Sequence, residues 1–184
     1  VGGLWTLPLF KALEAELPDP VPGHDGEPVI YELRDDGDRL VASADLAGLL
    51  QVVQPLDLST EQSLEEDFRL FRERRKRLRG LGSVVVHVVL ATGGDAEALA
   101  ELVERKTARK PSNVFLLDAG GETFARLRDE ALTPFAEVVL LDRHGRLRGA
   151  YGPGEAEGDR FAQDLASLAN WPASDPPVGE AIGR

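Results

Sequence analysis

From residue 29 onward the chain switches between short β-branched runs and longer stretches with helical period. Val29-Ile30-Tyr31-Glu32-Leu33 and Arg39-Leu40-Val41-Ala42 flank Asp35-Asp36-Gly37-Asp38, which predicts a hairpin with the glycine in its turn. Leu49 to Leu56, bounded by Gly48 and Pro55, predicts a short buried strand. Ser83 to Leu90 is nearly all apolar and β-branched, the pattern of a central strand covered on both faces. Further strands are predicted over Val114 to Leu117 and Val138 to Leu141. Asp142-Arg143-His144-Gly145 reads as a turn into a last strand, Arg146 to Tyr151. Between these runs lie predicted helices from Ser59 to about Arg79, from an Asp95 cap to about Arg109, over Thr123 to Asp129 and over Gly158 to Ala169. Strands interleaved with helices predict an α/β fold. The hairpin before the last helix predicts a mixed central sheet flanked by helices.

The two ends follow another pattern. A short amphipathic stretch, Leu7 to Leu17, runs into Pro18, Pro20, Pro22 and Gly23, and Trp171 is followed by Pro172, Pro176 and Pro177. The expected organisation is an N-terminal docking arm over 1–27, a domain over 28–171 and a Pro-rich tail over 172–184. Trp5, Leu9, Phe10 and Trp171 are the candidate aromatic and apolar anchors of these arms, because such side chains bury much area at little entropic cost. With no Met at position 1, and with Val1 to Phe10 apolar but too short for a bilayer, the start is expected to follow a removed signal peptide or anchor, or to dock elsewhere.

Composition narrows the chemistry. The 184 residues carry a net charge of −11, which argues against a nucleic-acid partner. There is no cysteine, so thiolate nucleophiles, disulfide exchange and thiolate metal sites are excluded. Gly93-Gly94 and Gly120-Gly121 read as turn glycines, and no phosphate-binding glycine motif occurs, so nucleotide binding has no support. His24, His87 and His144 have no ligand spacing among them. His87 reads as a core residue satisfied by one hydrogen bond, and a site joining His24 and His144 to carboxylates is the weaker alternative.

The long helix breaks the acidic balance. Arg69, Arg72, Arg74, Arg75, Lys76, Arg77 and Arg79 form a cationic run, while Leu64, Phe68, Phe71 and Leu78 mark an apolar stripe. One reading is a solvated face balanced by Glu61, Glu65, Glu66, Asp67 and Glu73 through i, i+4 pairs and the helix dipole. The other is contact with anionic headgroups or an acidic partner surface through Arg72, Arg75, Lys76 and Arg79.

The order of elements resembles the thioredoxin-like fold, and several motifs are similar to those of the Sco/SenC family of copper-handling assembly factors. Val138-Val139-Leu140-Leu141-Asp142-Arg143-His144-Gly145 followed by Arg148-Gly149-Ala150-Tyr151 is the best match. Asp45-Leu46-Ala47-Gly48, Gly94-Asp95-Ala96-Glu97 and Asn113 to Asp118 resemble other parts of the family pattern, so that the likeness spans roughly residues 28 to 170.

The departures matter more. The resemblance implies a Cys-x-x-x-Cys pair after the strand containing Gln51 to Leu56, where this chain offers Ser59 and Ser63 at that spacing. It implies a His ligand eight residues before Asp142, which is Pro134 here, between Thr133 and Phe135. Ser59 also reads as the cap of the long helix, in a capping box with Gln62. Serine has no disulfide chemistry and binds Cu(I) poorly. The expectation is therefore a non-catalytic domain with vestigial ligand positions, no cofactor, and a structural or assembly role beside subunits of a membrane electron-transfer complex on its periplasmic face. The alternatives are a Cys-independent metal-binding or redox protein, and a free periplasmic module for a small ligand or peptide.

Overall fold

The computed structural model describes residues 26–78, 84–106 and 112–170. Seven strands form one sheet: β1 (Glu32–Asp35), β2 (Leu40–Ala42), β3 (Leu50–Asp57), β4 (Val85–Thr92), β5 (Asn113–Leu117), β6 (Val138–Leu141) and β7 (Leu147–Tyr151), in the order β2-β1-β5-β4-β3-β6-β7. β3, β4 and β5 run parallel at its centre, and the pairs outside them are antiparallel, so the sheet is mixed as its sequence predicts. Helices α1 (Glu61–Arg77) and α2 (Ala96–Arg105) make the two parallel crossovers. α3 (Glu122–Glu130) links β5 to β6, and α4 (Glu155–Asn170) closes the fold.

Side-chain alternation divides the core between two faces. Val53, Val86, Val88, Leu90, Val139 and Leu141 point to the face covered by Phe124 and Leu127 of α3. On the other face two apolar clusters lie side by side. Leu56, Val89 and Ala91 pack under Phe68 and Phe71 of α1 and under α2, while Leu50, Val52, Val85 and Leu140 pack under Phe161, Leu165 and Leu168 of α4. Gln54 stands between Val52 and Leu56, and His87 between Val85 and Val89, so a polar seam separates the two clusters.

Several boundaries differ from the sequence reading. Pro55 lies inside β3 rather than ending it. The amides of Leu50 and Leu58 donate to Val84 and Thr92, so even-numbered amides of β3 face β4 and the missing N–H of Pro55 falls on the β6 side. There the β6 pairing has already ended at Val53, and no donor is needed. In the first hairpin the left-handed residue is Asp38 (φ 60°), not Gly37, and Asp35 Oδ1 accepts the amides of Gly37 and Arg39 at 2.8 and 2.9 Å. α4 begins at Glu155, one turn before the expected Gly158, because Gly154 (φ 108°) provides the change of direction.

Gly149 has a different role. A Cβ there would collide with the Tyr151 hydroxyl, because the tyrosine ring folds back over the glycine on the same strand face. That posture carries the hydroxyl to Asp164 Oδ2 on α4, at 2.7 Å.

Candidate functional site

The positions where the resemblance implies ligands lie toward the edge where β3 and β4 end. β6 runs antiparallel to β3, so the loop before Val138 returns to the edge from which Asp57 leaves the sheet. This places Pro134 at the same sheet edge as Ser59 and Ser63, as the resemblance implies.

Local chemistry there is spent on structure. Thr60, not Ser59, caps α1: its Oγ1 accepts the amide of Ser63 at 3.1 Å and donates to the Ser63 hydroxyl at 2.8 Å. The cap is thus one residue later than the expected Ser59, without the capping box, since either hydroxyl at the helix start can reach an orphan amide. Ser59 instead belongs to an Asp57 turn, its amide donating to Asp57 Oδ1 at 2.8 Å. The Ser59 hydroxyl and amide, together with the Ser63 hydroxyl, hold the Asp57 carboxyl below the usual range. Burial raises Asp67, whose Oδ2 accepts the amide of Asp57 at 2.8 Å.

Gly93 and Gly94 are more than turn glycines. A Cβ on Gly93 would come within 2.9 Å of Asp57 Oδ1 and of the Ser59 side chain, and one on Gly94 within 2.8 Å of Leu58. The β4 exit therefore passes directly under the Asp57–Ser59 segment. Across the edge, the loop after α3 exposes Leu132 (67%), Pro134 and Phe135 (81%), and Leu132 holds a left-handed φ of 52°. Pro134 and Phe135 have no side-chain donor atom for a metal. Among the described residues no three His, Asp or Glu side chains gather around a point that could hold a metal ion.

The buried polar chemistry lies in the seam beneath. His87 is fully buried and stacked on Phe71, with ring centroids 4.7 Å apart. Its Nε2 lies 2.9 Å from Gln54 Oε1, which also accepts from Arg74 at 3.3 Å. Arg74 has only donors, so it fixes the Gln54 amide with oxygen toward both neighbours, and Nε2 of His87 must carry the proton. Nδ1 is left as a bare acceptor, buried and without a partner. Burial, with Arg74 and Arg75 adding to it, pushes the imidazole down to about 3, so it is neutral. The expected single hydrogen bond of His87 is present. The other arm of Arg74 reaches Glu137 Oε2 at 2.8 Å, tying α1 to the start of β6.

The sequence reading placed Arg74 in the cationic run and missed this seam. A signal was available: Arg74 is three residues after Phe71 and four before Leu78, on the apolar stripe itself. Gln51 and Gln54 are likewise polar residues in an apolar strand, and Gln51 Oε1 accepts the Tyr31 hydroxyl at 2.8 Å on the opposite face.

The remaining candidates scatter. Arg72 is exposed and lies 5.6 Å over the Phe68 ring, Lys76 is exposed and Arg75 is half-buried. Arg69 pairs with Glu73 at 2.9 Å and Arg77 reaches Asp159 at 3.8 Å, so part of the run is balanced within the fold. His144 is exposed in the β6–β7 turn. Trp5, Leu9, Phe10, His24, Arg79 and Trp171 lie outside the described residues, and with them the His24–His144 alternative. A cavity of about 320 Å³ opens between α1 and α4, lined by Arg74, Arg77, Glu137, Tyr151 and Phe161 among others. Among the described residues no helix is long and apolar enough to cross a membrane.

Neither a family model nor a curated protein matches the sequence. Solved structures do. A SCO1/SenC family lipoprotein from Bacillus anthracis str. Ames superposes with a TM-score of 0.63 at 13% identity, over 83% of this chain and 99% of its own. Arabidopsis thaliana ScoI with copper bound gives 0.53 at 13%, over 74% and 96%. A putative protein disulfide isomerase from Bacteroides thetaiotaomicron gives 0.58 at 17%, over 79% and 90%. At these identities what is shared is the fold. The architecture is thioredoxin-like, an α/β fold common to this chain and to Sco/SenC structures, carried here without a cysteine.

Proposed function

We propose that this chain is a non-catalytic, Sco-like domain that acts through protein–protein contacts. It would serve as a structural or assembly subunit on the periplasmic side of a respiratory or photosynthetic electron-transfer complex. The observation that carries this reading is the state of the vestigial edge. The hydroxyls of Ser59, Thr60 and Ser63 are engaged with Asp57 and with the start of α1, and Pro134 has no donor atom to offer. Where the resemblance implies sulfur ligands, this chain has a capped helix start, and position 134 offers no donor. Exported, membrane-associated placement is supported by the lipoprotein among the similar structures.

The arms over 1–27 and 172–184 are the proposed docking segments, with Trp5, Leu9, Phe10 and Trp171 as anchors. The cations Arg72, Arg75, Lys76 and Arg79 are the proposed contacts to anionic headgroups or an acidic subunit. The test is co-purification of the chain with a membrane electron-transfer complex from native membranes, and its release when residues 1–20 are removed. Full retention of the trimmed chain, or stoichiometric tight Cu(I) binding by the purified protein, would overturn the reading.

A further inference from the structure

At the pole of the sheet opposite the vestigial edge, β3 and β4 begin and the β6–β7 turn folds beneath them. The amide of Gly48 donates to Arg143 O at 2.8 Å, that of Val29 to Gly145 O at 2.9 Å, and Pro28 bridges to Arg146. These contacts border an open cavity of about 660 Å³. Its described lining is Pro28, Ala47, Gly48 and Val84 with three basic residues, Arg143, His144 and Arg146, and contains no acidic side chain.

The missing carboxylate is informative. Asp142 stands next to Arg143 in the chain but is spent. Its Oδ1 accepts the amides of His144 and Arg146 at 2.8 and 3.0 Å, and its Oδ2 takes Arg148 Nε at 2.8 Å in a buried pair. The Nε atoms of Arg143 and Arg146 are both buried with no hydrogen-bond partner, and among the described residues the Arg143 side chain bonds Ala169 O at a long 3.4 Å. Acids outnumber bases by 32 to 21 in this chain, so a shortage of carboxylates does not explain two arginines that line one cavity with no described carboxylate paired to either. Buried donors are normally paired, and an exception calls for an explanation, an ion being one of those available.

We propose that this cavity binds a phosphate group, held by Arg143 and Arg146, with the carbon portion of the ligand against Pro28, Ala47 and Val84. Two separate guanidinium forks suit the tetrahedral spread of phosphate oxygens, whereas a carboxylate is matched by one. The phosphate can come from a soluble phosphate ester or from a phospholipid headgroup.

The test titrates the full chain, in about 0.15 M salt, with glycerol 3-phosphate and separately with phosphatidylglycerol vesicles against pure phosphatidylcholine vesicles. At least one of the two phosphate probes should bind. The Arg143→Gln/Arg146→Gln variant should weaken that binding at least ~10-fold, while Arg75→Gln/Lys76→Gln on α1 leaves glycerol 3-phosphate binding unchanged. Binding of glycerol 3-phosphate alone identifies a soluble ester; binding of vesicles alone, sensitive to Arg143 and Arg146, identifies a headgroup. Should the double variant not fold, amide shifts of the wild-type chain on titration provide the second readout. Shifts centred on Gly48 and on the Asp142–Leu147 segment support the site. No binding of either probe, binding unaffected by the double substitution, or shifts centred elsewhere would overturn it.

Discussion

The imidazole of His87 lies flat against Phe71 while its Nε2 is fixed by Gln54, so a titratable ring is held in a wholly buried position. Its folded pKa of about 3 lies well under the ordinary 6.5. The unfolded chain therefore binds a proton that the folded chain refuses, and stability falls as pH drops from about 6.5 toward 3, by roughly 1.4 kcal/mol per pH unit. Above the ordinary value the penalty is absent. Urea unfolding of the wild type and of His87→Phe between pH 5 and 7, above the range of ordinary carboxylates, isolates this slope. The variant should lose it, and equal slopes would show that the ring is not protected.

Arg74 joins three elements at once, bonding Gln54 and Glu137 from α1. Its side chain is 13% exposed and that of Glu137 35%, so the pair is neither fully buried nor a surface pair. Arg74→Leu should cost about 2–4 kcal/mol, because it strands Glu137 and one acceptor site of Gln54. Glu137→Gln should cost less, about 1 kcal/mol. A double-mutant cycle on chemical unfolding tests the coupling, and additive losses would deny that the pair acts as a unit.

Gly149→Ala should be among the most damaging single changes in the sheet, at about 3 kcal/mol or more, because the Tyr151 ring occupies the place of the new methyl. Tyr151→Phe, which loses only the bond to Asp164, should cost about 1 kcal/mol. Combining Gly149→Ala with Tyr151→Ala should give a loss well below the sum of the two single losses. Additivity in thermal unfolding would show that the glycine is required for another reason.

The two hydroxyls at the start of α1 should separate cleanly. Thr60→Ala removes the cap and should lower stability by about 1 kcal/mol, while Ser59→Ala should cost no more than about half of that. Equal losses on chemical unfolding would return the cap to Ser59.

The four α-helices and seven strands of the described residues were legible as periods in the chain, with β1 displaced from Val29–Leu33 to Glu32–Asp35, while the 3-10 turn at Ser43–Leu46 was not. The Asp142–Gly145 turn was legible in its residues, because its signal is local. What else escaped was of two kinds. Ser59 and Thr60 are chemically equivalent as caps, and only the path of the chain out of β3 selects between them. The His87–Gln54–Arg74–Glu137 seam joins residues up to 83 positions apart (137 minus 54), so nothing short-range announces it beyond Arg74 standing on an apolar stripe. The placement of Ser59, Ser63 and Pro134 at one sheet edge was legible, since it follows from the order of the strands and helices. The basic cavity was not, because Arg143 and Arg146 read as ordinary turn residues until Asp142 is seen to be committed elsewhere.

The seam also has a dynamic consequence. With Gln54 and His87 standing between the cluster under α1 and the cluster under α4, this face is divided into two oily compartments, linked at their rim by Leu78 and by the bond from Arg77 to Gly158 O. A helix can then lift from its own compartment without opening the other, so amide exchange in α4 and in α1 should report two distinct opening energies instead of one concerted event. A partner that grips either helix would thereby loosen or brace one half of the domain while leaving the other half as it was.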